Sequence, residues 1–213
     1  NISDIIENAQ RKFLYIQPYM AMGESVLTPG VKISAYDVAR KYINELQKLY
    51  CGTSLHTLQL IISSIALFHV ISLKEICNLI LFTEVSYDVI GVLNDILPLM
   101  TTKRTDGEDM YGFANEEYEK YVYENMHNSV CEAICRYRIS LTSWFESANR
   151  KDSSYGKQWG DYVRRALVVD RVAHNANFCE TTEEYVKSLI YLWCQNDPGT
   201  FYSRVVGEEL QCN

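Results

Sequence analysis

Three apolar segments with helical periodicity follow one another between residues 55 and 97. The first, residues 55–70, reads LHTLQLIISSIALFHV and contains neither glycine nor proline. Its apolar side chains recur at three- and four-residue steps, at Leu58, Ile61, Ile62, Ile65 and Phe68. Because this spacing places apolar groups on one side of a helix, residues 55–70 are predicted to form a buried helix.

The next two segments carry helix-capping signals. Ser72 stands three residues before Glu75, which is the spacing of a capping box and predicts the start of a short second helix. Ser86 is placed to cap a third helix, YDVIGVLNDIL, which Pro98 should end. The apolar stripe of that third helix is formed by Val89, Leu93 and Leu97.

A β-hairpin is predicted after the third helix. The segments LMTTKR (residues 99–104) and EDMYGF (108–113) flank Thr105-Asp106-Gly107, and Asp-Gly is a strong turn signal between two short strands. Three helices, a hairpin and a further helix are the order of a winged helix. Residues 55–125 are therefore predicted to form a winged-helix domain with one small β-hairpin, in a chain that is otherwise mostly α-helical.

The charges of this domain oppose a DNA-binding role. Between residues 56 and 125 there are four Lys and Arg residues against eleven Asp and Glu residues, a net charge of −7. The third helix, which would enter the major groove, contains no Lys or Arg. Since binding to a duplex depends on neutralising phosphates, we expect this module to contact protein in preference to DNA.

Helical patterns also flank the winged-helix domain. Residues 1–54 are predicted to be a helical lead-in with helices at 3–22 and 34–50. Residues 126–213 are predicted to be a helical linker followed by hairpins, with helices at 158–174 and from a Thr181/Glu184 capping box onward. Stacked helical hairpins of this kind resemble the start of an α-solenoid, whose repeats bury their faces against neighbours.

Composition indicates a globular chain without a membrane span. The 213 residues are 47% hydrophobic and 22% charged, enough for a substantial core. The most apolar stretch, residues 58–71, is interrupted by polar side chains and suits a buried helix better than a membrane helix. The start lacks the basic and apolar blocks of a signal peptide. The chain begins at Asn1 without an initiator methionine, so we expect it to be a piece of a larger protein.

Seven cysteines occur without CxxC spacing. An odd number in a chain that can form its own core indicates reduced thiols and a cytoplasmic location, with most cysteines serving as small buried side chains. His127, Cys131 and Cys135 fall at successive four-residue intervals and could share one helix face. Zinc needs a fourth ligand and normally draws on more than one segment, so an ordinary packed helix is favoured and no metal site is predicted.

No catalytic residue is predicted. The chain contains no GxxxxGK[ST] loop that could hold phosphates, and no nucleophile motif accompanies its histidines, which lie in helical patterns. These histidines are His56, His69, His127 and His174. We therefore expect the chain to be no enzyme and to bind no cofactor by itself. Its many tyrosines, among them Tyr111, Tyr118, Tyr121 and Tyr123, could serve core packing, the favoured interpretation, or a contact surface.

Three stretches resemble the region that follows the nucleotide-binding core in STAND-class NTPases, particularly the NACHT branch. They are IIENAQRKFLYI (residues 5–16), SLKEICNLILFTEVSYDVIGVLNDILPLM (72–100) and YGFANEEYEKYV (111–122). The first is similar to the segment leaving the ATPase core, the second to the winged-helix body and the third to the passage from the wing into a helix. Residues 159–190 are more weakly similar to the first helices of the following superstructure.

The resemblance implies a regulatory role. In that family the winged helix folds back on the nucleotide domain in the resting ADP state and swings away on activation. The implied partners are the parent's own nucleotide-binding domain and other protein surfaces, with ATP or ADP bound in the parent. The family often places a histidine at the wing-to-helix junction, within reach of the ADP β-phosphate, and Asn115 occupies the matching place here.

Two alternatives remain open at this stage. By the resemblance, Asn115 is a nucleotide-sensing residue. The alternative, which is the favoured interpretation, is that Asn115 is simply the N-cap of a helix that begins Glu116-Glu117. At the level of the whole chain, the alternative to a STAND-like regulatory fragment is a free-standing helical adaptor or winged-helix regulator. Such a protein would bind another protein or, less in keeping with its charges, DNA.

Overall fold

The computed structural model describes residues 34–105, 107–148, 191 and 194, without the side chains of 141–148. The predicted helices at 3–22 and 158–174, and nearly all of the segment from Thr181 onward, lie outside these residues. The described part is mostly helical, with six α-helices and a small three-stranded antiparallel sheet.

Two helices open the described part. Helix α1 (Ala35–Leu49) begins at Ser34, whose Oγ accepts a hydrogen bond from the Asp37 backbone N–H at 3.1 Å. Helix α2 (Gly52–Phe68) is buried on nearly all sides from Leu58 to its end, as predicted. It begins three residues earlier than predicted. It also ends two residues earlier, because His69 takes a positive φ of 59° that leaves the helical conformation.

The capping box at Ser72 is confirmed. Strand β1 (Ile71–Ser72) leads directly into helix α3 (Leu73–Ile76), which continues through one wider turn at Cys77–Leu81. The Glu75 N–H donates to Ser72 Oγ at 3.2 Å, and the Ser72 N–H donates to Glu75 Oε2 at 3.0 Å. Both orphan donors at this helix start are therefore satisfied, as the spacing predicts.

Helix α4 (Tyr87–Ile96) is the predicted third helix. Ser86 Oγ accepts from the Val89 N–H at 3.3 Å, and a single 3₁₀ turn at Leu97–Leu99, containing Pro98, follows the helix. Its inner face is buried and consists of Val89, Val92, Leu93 and Ile96. The predicted stripe is thus confirmed at Val89 and Leu93, whereas Leu97 is half-buried and lies beyond the helix end.

The sheet contains the predicted hairpin and one strand more. Strands β2 (Met100–Thr105) and β3 (Glu108–Phe113) pair antiparallel from Met100↔Phe113 to Thr105↔Glu108, and Gly107 between them has a φ of +85°. Strand β1 pairs with the other edge of β3, with Ile71 opposite Tyr111, so the strand order is β1-β3-β2. The prediction of a single hairpin missed β1, because two residues are too few to show an alternating pattern.

Helices α5 (Glu116–Asn125) and α6 (His127–Ala148) follow the sheet. The Tyr36 and Tyr121 rings of α1 and α5 meet edge to face, with centroids 5.5 Å apart. The Tyr121 hydroxyl donates to Asn44 Oδ1 at 3.0 Å, and Tyr118 is fully buried. Core packing is therefore confirmed for Tyr118 and Tyr121, and α1 packs on the helix that follows the sheet.

The chain divides into two compact units, Asn1–Ala133 and Ile134–Asn213, with the boundary inside α6. Of the described residues in the second unit, Ile134 and Tyr137 are buried. The division into a lead-in (1–54), a winged helix (55–125) and a helical region (126–213) stays a prediction. Within the described residues, no helix has the length and apolar character needed to cross a membrane.

Candidate functional site

The predicted site residue, Asn115, lies in the short connection between β3 and α5. This connection, Ala114 and Asn115, together with Gly112 and Phe113 at the end of β3, is called the junction below. Asn115 has an extended backbone, and its side-chain oxygen accepts a hydrogen bond from the Glu117 N–H at 2.9 Å. The N-cap interpretation is therefore confirmed. A nucleotide contact by Asn115 is not tested by this geometry and stays a prediction.

Acidic side chains occupy the first turn of α5 at Glu116, Glu117 and Glu119. Carboxylates at this position complement the partial positive charge of a helix N-terminus and stabilise the helix. The same charges repel an approaching phosphate. An anion could approach this helix start only against that repulsion, so the cap and the acids together favour helix formation over anion binding.

The junction is held against the end of α2 by close backbone packing. A Cβ built on Gly112 would lie 2.4 Å from the carbonyl oxygen of His69, so only glycine fits there. The Ala114 N–H donates to the Leu99 carbonyl oxygen at 3.0 Å. These two contacts tie the junction to the residues that follow α2 and to those that precede β2.

His69 and Glu119 contact each other beside the junction. Their Nδ1 and Oε2 atoms are 2.9 Å apart, and the Glu119 side chain is only 16% exposed. Burial raises the pKa of Glu119; the hydrogen bond and charge of His69 act in the opposite direction, and Glu116 raises the pKa further. The sequence pattern predicted that His69 lies inside the helix. This prediction is wrong, because His69 lies just past the end of α2. No sequence signal links two residues 50 positions apart.

The outward side of α4 exposes apolar groups. Tyr87, Ile90, Gly91 and Asn94 follow one another at the i, i+3, i+4 and i+7 positions, and all four are exposed. Tyr87 is 93% exposed, and a Cβ on Gly91 would meet nothing within 4 Å. The sequence prediction considered only the buried stripe of this helix, although Tyr87 and Ile90 form a second apolar stripe that the same periodicity could have identified.

The last turn of α4 is anchored to α1. The Tyr42 hydroxyl donates to the Asp95 carbonyl oxygen, and the Tyr50 hydroxyl donates to Asp95 Oδ2, each at 2.6 Å. Burial, reinforced by Asp95, raises the pKa of both tyrosines to about 12. The Asp95 carboxylate is therefore engaged within the chain and does not belong to the open part of the α4 surface.

The His127–Cys131–Cys135 series forms one partial contact. His127 Nε2 and Cys131 Sγ are 3.6 Å apart, and Cys135 is exposed. Across residues 34–105 and 107–140 there is no group of three or more His, Cys, Asp or Glu side chains arranged to hold a metal ion. His56, another predicted non-catalytic histidine, lies 2.8 Å from Glu132 through its Nε2 atom.

The prediction that most cysteines are buried is wrong for the described ones. Only Cys77 among the five described cysteines is buried, and burial raises the pKa of its thiol. Cys51 stands at the exposed start of α2, and Cys135 lies on the exposed side of α6. Cysteine composition alone does not report which face of a helix a thiol occupies.

The chain matches no known protein family, and no characterised protein or solved structure is detectably similar to it. The geometry of the junction and of α4 is therefore the basis on which a function is inferred.

Proposed function

We propose that residues 55–125 form a winged-helix module that regulates through contacts with protein and performs no catalysis. The observation that carries this proposal is the connectivity: helix α2, strand β1, helices α3 and α4, then the β2–β3 hairpin, with strand order β1-β3-β2. This order of elements supports a winged helix, in which α4 would take the place of the recognition helix and β2–β3 would be the wing.

Charge supports protein contact over DNA binding. The exposed side of α4 offers Asp88 and no cation to a phosphate backbone. The wing carries Lys103 and Arg104, but Arg104 stands opposite Asp109 in the hairpin and donates to the Gly107 carbonyl oxygen. A module that binds duplex DNA would need cations on α4 or a wing without acidic residues, and this module has neither.

The parent we propose is a STAND-class, NACHT-like NTPase, in which this chain follows the nucleotide-binding core. The support is the resemblance of three sequence stretches, together with the connectivity described above. In such a parent the module would act as a nucleotide-state switch, with the junction near bound ADP, and residues 126–213 would mediate protein interaction. The chain itself would hold no ATP or ADP.

A free-standing adaptor or winged-helix regulator is the second candidate. The exposed apolar side of α4 favours a protein-binding role whichever parent is correct, so it does not separate the two. The coding sequence upstream of Asn1 separates them: a GxxxxGK[ST] loop there would support the NTPase, and an unrelated upstream sequence would contradict it.

The switch role is tested in the full-length parent by ADP retention. Asn115→Asp would place a carboxylate at the junction while keeping a competent helix cap, so we expect faster ADP loss without loss of thermal stability. Asn94→Asp, the same chemical change on α4, serves as the matched control and should retain ADP. Equal retention by wild type and a well-folded Asn115→Asp parent would contradict a phosphate-facing junction.

A folding control accompanies this experiment. Ile61 is fully buried in α2, so Ile61→Ala should cost about 2–5 kcal/mol of unfolding free energy through lost burial and a cavity. If ADP loss merely followed instability, Ile61→Ala would lose ADP at least as readily as Asn115→Asp. The comparison thus separates a local electrostatic effect from general unfolding.

A further inference from the structure

We propose that the surface formed by residues 82–91 binds an amphipathic helix of a partner protein whose apolar stripe is flanked by Lys or Arg. This inference rests on the protein-contact part of the proposed function and is independent of the nucleotide part. The surface, called the 82–91 surface below, combines exposed apolar groups, exposed acids and one glycine with open space above it.

The apolar groups lie on the loop before α4 and on its first turns. Phe82 and Val85 are 51% and 46% exposed, and Tyr87 and Ile90 continue the patch onto the helix. The inner face of α4 is formed by Val89, Val92, Leu93 and Ile96, so Tyr87 and Ile90 lie outside that buried face. Exposed apolar side chains close together in the sequence, with acidic side chains among them, are consistent with a binding surface.

Charge selects the kind of partner. Residues 75–102 contain four acidic residues and no Lys, Arg or His. Two of the four are used internally, since Glu75 completes a helix cap and Asp95 accepts from Tyr50. Glu84 and Asp88 remain exposed, and no described cation forms an ion pair with either of them. Their field attracts a cationic protein segment and repels nucleic acid and anionic lipid.

Gly91 indicates the shape of the partner. It lies in the middle of α4, where glycine is a poorer helix former than alanine, and no group of the described residues approaches its Cβ position within 4 Å. A missing side chain between Ile90 and Asn94 lets the backbone of another element come close. The exposed stripe from Tyr87 to Asn94 runs for about 10 Å along α4, which matches two turns of a crossing helix.

The experiment titrates the full 213-residue chain against two labelled synthetic helices at about 0.15 M salt. One peptide carries a Leu stripe flanked by Lys, and the other has the same stripe flanked by Glu. We expect saturable binding, read by fluorescence anisotropy, for the Lys peptide alone. Tyr87→Ser and Glu84→Lys should each weaken it about tenfold or more. Leu49→Ser, which removes an exposed apolar side chain of α1, is the matched control and should leave binding unchanged.

Gly91→Ala guards against misfolding as an explanation. It should weaken binding while the thermal midpoint stays equal or rises, a combination that damage to the fold cannot produce. Absence of binding, or equal binding by wild type and the three surface variants, would overturn the proposal.

Two further outcomes would replace the partner. Self-association of the chain that Tyr87→Ser abolishes, seen by sedimentation velocity, would assign the surface to a second copy. Binding of duplex DNA or anionic vesicles that Tyr87→Ser abolishes would assign it to those ligands. Either result overturns the proposal, whereas failure of the ADP-retention test alone would leave it standing.

Discussion

The junction and the 82–91 surface differ in how completely the chain satisfies its own groups. At the junction, Asn115 caps α5, Ala114 bonds to Leu99, and Glu119 pairs with His69. On the 82–91 surface, the apolar side chains of Val85, Tyr87 and Ile90 and the carboxylates of Glu84 and Asp88 are exposed. The polar groups of the junction stabilise the fold, whereas the exposed groups of the 82–91 surface can contact another molecule.

Two glycines show the same contrast. A Cβ on Gly112 would collide with the His69 backbone at 2.4 Å, whereas a Cβ on Gly91 would stand in open space. Glycine is thus required at the junction by the fold itself. At position 91 alanine would stabilise α4 more than glycine does. The described part of the chain therefore does not explain why glycine is present there.

Between the two regions, the largest expected effect is that of Gly112→Ala. The added methyl group meets a backbone oxygen that a rotamer change cannot move, so β3 or the residues after α2 must shift. We expect a loss of about 3 kcal/mol of unfolding free energy, at the upper end of the usual overpacking cost. Urea unfolding of the purified chain measures it, with Gly91→Ala as the matched glycine control. A loss below about 0.5 kcal/mol would show that the close approach is not maintained in solution.

Asn115 should respond to substitution as a cap. Asn115→Ala removes the acceptor for the Glu117 N–H and should cost about 1 kcal/mol, whereas Asn115→Asp keeps an acceptor and should cost little. Urea unfolding of both variants provides the comparison, and Asn94→Ala on the exposed side of α4 is the control. Equal losses for the Ala and Asp variants of Asn115 would contradict the cap.

The junction also shows where sequence reasoning succeeds and where it stops. The caps at Ser72, Ser86 and Asn115 were predictable, because each depends on residues two or three positions apart. The pairing of β1 with β3 and the contact of His69 with Glu119 were not, because they join residues about forty or fifty positions apart. Helix ends can be predicted from neighbouring residues, whereas contacts between distant residues become visible only when the fold is known.

The α4 surface shows a different reason for a missed feature. The periodicity of YDVIGVLNDIL predicted a buried stripe, and Val89 and Leu93 are buried as expected. Tyr87 and Ile90 repeat the same spacing on the opposite side. A helix with two apolar stripes can be buried all round or can present one stripe to a partner, and periodicity alone does not distinguish these cases.

Gly91→Ala should stabilise the chain. Alanine is the better helix former, and the Cβ meets no atom within 4 Å, so we expect a gain of about 0.5–1 kcal/mol in unfolding free energy. Urea unfolding measures the gain directly. A clear loss of stability would mean that some part of the chain covers this side of α4 in solution and would remove the contrast between the two glycines.

The smallest effect concerns the pH dependence of the His69–Glu119 pair. Burial raises the pKa of Glu119 above its ordinary value of 4.5, so the folded state holds this proton more tightly than the unfolded state. The resulting stability is fully present below pH 4.5 and is lost as the pH rises through the folded-state pKa. Wild type should therefore gain stability relative to Glu119→Gln as the pH falls from 7 to 4.5. Urea unfolding of both proteins across that range tests this, with Glu108→Gln on the exposed hairpin as the control for losing an acidic charge. If the stability difference between wild type and Glu119→Gln did not change with pH, His69 would fully offset the effect of burial on the pKa of Glu119. If the difference changed in the opposite direction, the effect of His69 would exceed that of burial. Either result would contradict the prediction.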